Sequence, residues 1–369
     1  IILARDGEHV VHEVLLKSGK VLGIFNVYSG ELETIDFPGS FVREFDYCGA
    51  TDCVVVAAWE GREVSSLLCT VSLADRQPKT ILEQRGFLSV PRFNPAGDTI
   101  VFSLVEEGRE ERGANLWSIG VNGDGLTRIT DSAEHDAYPL WLPKSNALLF
   151  FRAFDHGSNS PIATPYWRDW LPAIILPGDN TPHYLTDWKT RQLHWPTVSP
   201  DGNWLLYTDS EYELSDPTLI RIHVDQQVKS EVVDLRFLKK IIDDLHEKGL
   251  HMEYPVFASD STKVFFAVSR TTKKEGYIAP QEIVGDLYAL DLQTLNVSEM
   301  LRYGQNIQHL TLLPDDSGLL YFTEHQDGDT YSIWRAKLGE SGELECLAGC
   351  EEGVPIFEVA SRRECRPDS

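Results

Sequence analysis

The chain has 369 residues, 42% hydrophobic and 10% aromatic, which is enough to bury a large core and too apolar for a disordered chain. Lys and Arg number 33 against 57 Asp and Glu, a formal charge of −24. Such a surface repels phosphate backbones and anionic lipid, so nucleic acid and membrane surfaces are poor partners, and no run of ~18 apolar residues is present to span a bilayer.

At the N-terminus, residues 9–16, 21–28 and 31–37 read as the second, third and fourth strands of a small sheet, with no first strand before them. Cys48 and Cys53 flank a tight turn, Gly49-Ala50-Thr51-Asp52, and Cys346, Cys350 and Cys365 gather near the end. Six cysteines in local groups fit disulfides of an oxidising compartment, or alternatively buried thiols in sheet cores. The chain begins at Ile1 rather than Met, so a targeting segment has room to precede it.

From Val90 onward one phrase recurs. It reads Val90-Pro91-Arg92-Phe93-Asn94-Pro95-Ala96-Gly97-Asp98, then Tyr138-Pro139-Leu140-Trp141-Leu142-Pro143. It returns as Trp195-Pro196-Thr197-Val198-Ser199-Pro200-Asp201-Gly202 and as Tyr254-Pro255-Val256-Phe257-Ala258-Ser259-Asp260. Weaker copies start at Leu310 and at Val354. In the first full copy, a short strand at residues 91–94 meets a turn in which Gly97 supplies the positive φ. A β-branched strand at 99–103 follows, then 115–119, then a Gly-rich turn and 126–130. Four hairpin-linked strands repeating about every 45–60 residues describe propeller blades.

Anchors near Arg43, Pro91, Pro139, Pro196, Pro255, Leu310 and Pro355 predict an all-β, seven-bladed β-propeller in one domain over 1–369. Six or eight blades follow if residues 41–80 are misread. A strand at 354–359 is expected to close the ring by joining the N-terminal blade, which removes both free sheet edges. Residues 234–249 carry Phe237, Leu238, Ile241, Ile242 and Leu245 at helical spacing, a short amphipathic insertion.

The phrase Pro-x-aromatic-Ser-Pro-Asp-Gly, an apolar strand, Asp/Asn-Leu-aromatic and a Gly-rich turn into Leu-Thr resembles the TolB-like propeller repeats. The match is best over 91–130 and 196–207 and fair at Pro139, Pro255 and Leu310. The motif is specific for the repeat and weak for function. Related repeats occur in periplasmic TolB, in the non-catalytic domains of prolyl-oligopeptidase-like enzymes, in tricorn-type proteases and in some polysaccharide lyases. The hydrolase motif Gly-x-Ser-x-Gly is missing from this chain, which argues against a serine hydrolase.

Sites on propellers gather where loops enter the innermost strands. His135, His194, His251 and His309 each lie just before such a strand, with Asp136, Glu253, Gln305 and Gln308 beside them. Imidazoles there can hold a divalent metal or act as acid and base; equally, each can be an ordinary surface or hydrogen-bonded histidine. Some seven-bladed uronate lyases use histidines and glutamine around a metal in this region, a likeness of position only. Long aromatic loops share the face: Tyr166, Trp167 and Trp170 in one, Tyr277 in another, with Trp195 and Tyr254 at the strand starts. These rings suit ligand stacking, or cover their own loops.

The favoured expectation is a periplasmic or secreted scaffold that binds a protein or carbohydrate on its loop face. The alternative is a uronate lyase or related carbohydrate-active enzyme. It would use His194 or His251 as base, Arg168 or Arg191 against the substrate carboxylate, and a divalent metal on the four histidines. No other cofactor is called for.

Overall fold

The computed structural model describes residues 2–4, 6–16, 19–37, 40–60, 65–108, 113–156, 167–209, 218–224, 228–234, 250–272, 282–305, 307–313, 316–324, 331–338, 344–348 and 364–365, with the backbone alone at some strand positions. The strand at 354–359 and, apart from Asp234, the helix at 234–249 expected from the sequence lie outside these residues, as do Tyr166 and Tyr277; Asp234 ends a strand. Every regular element among the described residues is a β-strand, and the chain divides into two compact units, Ile2–Gln192 and Leu193–Ser369.

The first unit opens with β1 (Ile2–Leu3), β2 (His9–Leu16), β3 (Gly19–Asn26) and β4 (Leu32–Ile35), an antiparallel sheet in that order. The first strand thought missing here is therefore present: Ile2 pairs with Val11 and Leu3 with Val10. Its two residues are too short for a periodicity argument to detect. The chain continues as β5 (Ser40–Cys48), β6 (Cys53–Glu60), β7 (Ser65–Ser72), β8 (Pro78–Phe93), β9 (Thr99–Glu106), β10 (Asn115–Gly120) and β11 (Thr127–Arg128), seven strands in one continuous sheet. Its two four-stranded repeats share β8, which pairs with β7 up to Arg85 and with β9 from Gly86.

Gly86 makes that passage possible. Its φ is +119°, and a Cβ there would meet the Val105 carbonyl oxygen at 2.1 Å. Ser66 fastens the same point, its Oγ donating to the Gly86 carbonyl at 2.8 Å and accepting from the Leu88 N–H at 3.1 Å. The unit ends with β12 (His135–Trp141), β13 (Leu148–His156), β14 (Trp167–Ile175) and β15 (His183–Tyr184).

The second unit holds β16 (Leu193–Val198), β17 (Trp204–Asp209), β18 (Thr218–His223) and β19 (Val228–Asp234) in one sheet. Next come β20 (Leu250–Phe257), β21 (Lys263–Thr272), β22 (Glu282–Asp291) and β23 (Val297–Gln305), then β24 (Ile307–Leu312), β25 (Gly318–Glu324), β26 (Tyr331–Lys337) and β27 (Leu344–Ala348). A last strand, β28 (Glu364–Cys365), adds to the edge of β23.

Core placement explains the sequence pattern. Second strands such as Thr99–Glu106 are apolar without alternation because neighbouring sheets cover both faces. Ile100 and Phe102 pack with Val55, Ala57 and Leu68 of the preceding repeat, while Val101 packs with Phe150 and Ala173 of the following one. In the second unit, Val264, Phe266 and Tyr288 meet Leu206 and Leu219, and Phe265 and Leu287 meet Leu319 and Trp334. Outermost strands turn to water: Leu32, Glu33 and Thr34 are exposed, and only Ile35 is buried.

Cys48 and Cys53 face each other directly across β5 and β6 with free thiols, and Cys69 is also free. Cys346 is disulfide-bonded.

Candidate functional site

The aromatic-Pro phrase builds a bulge. In β16, His194 pairs with Thr208 and Thr197 with Leu206, so Trp195 and Pro196 together oppose the single residue Tyr207. The same two-against-one arrangement sets Val90-Pro91 against Phe102, Tyr138-Pro139 against Phe150, Tyr254-Pro255 against Phe266 and His309-Leu310 against Tyr321. Each opposing aromatic is fully buried. Proline suits the position because it lacks the N–H that a ladder would need. The residue before it adopts the left-handed region: φ is 49° at Val90, 55° at Tyr138, 52° at Trp195, 54° at Tyr254 and 52° at His309. A bulky residue pays for that conformation, and the backbone turns its side chain out of the strand's alternation.

In the second unit the outcome is a row of rings. Trp195 and Tyr254 have centroids 4.3 Å apart with planes tilted by 47°, and Tyr254 and His309 follow at 5.1 Å and 42°. Trp195 is 41% exposed, His309 is exposed and Tyr254 is half-buried between them. His194 and Arg191, beside Trp195 in sequence, are exposed as well.

In the first unit Val90 is buried at the equivalent position and Tyr138 is half-buried against Trp170. Trp170 is 2% exposed, with His135 at 5.7 Å and Tyr138 at 5.5 Å, both edge to face. The segment expected to be a displayed loop is strand β14 here, and its tryptophan is core. Burial pushes the Tyr138 hydroxyl up to about 12, and the Glu44 carboxylate adds to the shift against Arg43. Glu44 accepts a hydrogen bond from the Val90 N–H, and the Arg43 guanidinium lies 4.0 Å from the centre of the Trp59 ring. Asp46 accepts from the Phe93 N–H at 2.9 Å, so carboxylates of β5 tie down both sides of the next bulge.

The four histidines occupy unlike positions. His135 and His251 stand three residues before their bulge residue, His194 one before, and His309 is the bulge residue itself. His135 is 2% exposed and its Nδ1 accepts from the Ala114 N–H at 2.9 Å, which puts the proton of the neutral ring on Nε2. His251 pairs with Ser269 in the ladder; its side chain, like those of Trp167, Glu253, Gln305 and Gln308, is outside the described set. Asp136 is spent on Arg152, with Nε to Oδ1 at 2.6 Å and Nη2 to Oδ2 at 2.9 Å. Arg168 is half-buried, and its Nε has no hydrogen-bond partner among the described residues. No group of three or more His, Cys, Asp or Glu able to hold a metal occurs among the described residues.

The membership of His309 in the aromatic row escaped the sequence argument. The available signal was its place in the phrase, where His309-Leu310 stands for aromatic-Pro.

No family model matches the chain, and no curated protein matches it in sequence. Solved structures do match. An oligogalacturonate lyase in complex with manganese is 12% identical at TM-score 0.63, over 92% of this chain and 88% of that one. An oligogalacturonate lyase from Vibrio parahaemolyticus is 11% identical at TM-score 0.62, over 92% and 89%. The β-propeller domain of the Trilobed protease from Pyrococcus furiosus is 13% identical at TM-score 0.58, over 95% and 93%. At these identities the likeness is one of fold, and the fold is the β-propeller that the TolB-like resemblance implies.

Proposed function

We propose that this β-propeller chain is an extracytoplasmic binding scaffold that takes a glycan or protein ligand on its inner-strand bulges and the loops beside them. The observation that carries the reading is repeated strain. Five residues other than glycine sit at φ near 50° at one equivalent position, each at a cost of about 1 kcal/mol. Strain of this kind gathers at binding sites, where it aims a side chain. The reading includes seven blades in a single domain, with β1 filling the first-strand place of the N-terminal blade that residues 354–359 were expected to take, and a helix near 234–249 on the loop face. The disulfide at Cys346 supports a periplasmic or secreted setting.

The test compares the native chain with a variant carrying Trp195→Ala, Tyr254→Ala and His309→Ala. Both are immobilised and exposed to a glycan array and to an extracellular protein fraction. A ligand held by the native chain and lost by the variant supports the reading. Equal retention of every ligand overturns it.

A second reading, uronate lyase, draws on two observations: His194 is exposed beside Trp195 in sequence, and the Arg168 Nε has no hydrogen-bond partner among the described residues of a strongly acidic protein. The base would be His194 or His251, and Arg168 or Arg191 would neutralise the substrate carboxylate. A divalent metal on His135, His194, His251 and His309 belongs to this reading. The described donors do not form a metal-holding group, so no step is routed through it. Oligogalacturonate incubated with and without manganese decides the matter. Growth of the ultraviolet absorbance of an unsaturated product, lost in His194→Ala, would establish the lyase, and a flat trace in both conditions would end it.

A further inference from the structure

The bulge residues of the second unit narrow the ligand class that the binding reading leaves open. The three rings of Trp195, Tyr254 and His309 come from β16, β20 and β24, whose nearest large aromatics on the second strands, Tyr207, Phe266 and Tyr321, are sealed in the core. Another tryptophan of the same unit, Trp204, is covered by Arg221 at 4.3 Å and by the His223 ring at 4.7 Å. Trp195 instead keeps 41% of its surface in water at one end of the row, and His309 is exposed at the other. Leaving apolar ring area in water costs about 25 cal/mol per Å², which a flat apolar ligand surface would recover.

We propose that Trp195, Tyr254 and His309 form a stacking rail for a neutral pyranose chain. This rests on the binding reading above and supplies its ligand. A pyranose ring has a face of C–H groups that suits the electron-rich face of Trp or Tyr, and a rim of hydroxyls that needs hydrogen-bonding partners. Histidine carries both donor and acceptor chemistry for such a rim, and His309 ends the rail. A protein anchor pocket would ring its central aromatic with apolar residues that exclude water. Here Trp195 is itself 41% exposed, and its chain neighbours His194 and Thr197 are exposed and half-buried. Charge selects the neutral class: a chain at −24 repels a polyanionic polysaccharide through its overall field.

Calorimetric titration of the full chain with cellohexaose, mannohexaose and laminarihexaose tests the proposal, with hexagalacturonate as the anionic comparison. At least one neutral hexasaccharide should bind. Trp195→Ala and Tyr254→Ala should each weaken it by about tenfold or more, equivalent to ~1.4 kcal/mol, while Trp195→Phe keeps most of the affinity. Thermal unfolding of each variant reports whether it is folded, and Trp195→Phe serves where the alanine variant is not. Three results would overturn the rail: no neutral hexasaccharide binds, binding is indifferent to Trp195→Ala, or hexagalacturonate binds more tightly than every neutral chain. If no saccharide binds but a protein is captured and lost in the triple variant, the rail fails while the scaffold reading stands.

Discussion

The indole of Trp195 and the phenol of Tyr254 lie with ring centroids 4.3 Å apart, although they belong to the first strands of two different sheets. Each reaches that place because its backbone is left-handed at a bulge, with φ of 52° and 54°. The contact therefore couples two sheets through two strained residues. A double-mutant cycle of Trp195→Ala and Tyr254→Ala, followed by urea denaturation, should show a coupling of about 0.5–1.5 kcal/mol. Strict additivity of the two substitutions would show that the rings merely adjoin.

The Asp136–Arg152 pair is a buried ionic contact. The Asp136 side chain is fully buried, that of Arg152 is 11% exposed, and both carboxylate oxygens are engaged. Removing one partner strands a charge, so Arg152→Met should cost roughly 3–5 kcal/mol in chemical denaturation. Replacing both partners with apolar residues of similar size should cost clearly less than the single change. The Tyr184 hydroxyl, which accepts from Arg152 at 3.1 Å, should contribute a smaller share when changed to Phe.

His12 is 7% exposed, and burial lowers its pKa from 6.5 to about 4. The folded protein thus holds a neutral ring where the unfolded chain would be protonated. The resulting stability is complete above pH 6.5 and is lost as pH falls from there towards 4. His12→Gln should flatten the stability profile across that window, by about 3 kcal/mol at its acid end. An unchanged acid slope in the variant would assign the effect to other groups.

Gly86 sits where β8 leaves one repeat and enters the next, at φ +119° with the Val105 carbonyl oxygen in the place of a Cβ. Gly86→Ala should destabilise the protein by roughly 1–3 kcal/mol or more, since backbone on both sides must shift. Gly108→Ala is the control: its φ of +74° is also positive, but no described residue lies within 4 Å of the added carbon, so it should cost less. Thermal unfolding of the two variants checks the order.

Much of the architecture was legible from recurring local chemistry. Pro91, Pro139, Pro196 and Pro255 mark the bulged strands that open each repeat, and the apolar runs at 100–102, 148–151 and 205–207 mark strands buried on both faces. Short or continuous elements were not legible. Ile2–Leu3 is two residues long, and β8 runs without a turn from one repeat into the next, so neither carries a boundary signal. Trp170 looked like part of a displayed loop because its neighbours Tyr166 and Trp167 are aromatic, yet pairing with Ala153 in β13 places it in the core.

The sequence by itself determined the strand-and-turn repeat, because proline, glycine and β-branched residues act over a few bonds and need no distant partner. It also determined the acidic surface and the absence of any long apolar run. Only the tertiary structure decided which bulge residues meet. Trp195, Tyr254 and His309 touch, whereas Tyr138 turns to Trp170 and Val90 is buried at 7% exposure. The same local phrase serves both outcomes. Contact between rings depends on how successive sheets pack, and that is set by the volumes of buried residues far apart in the chain.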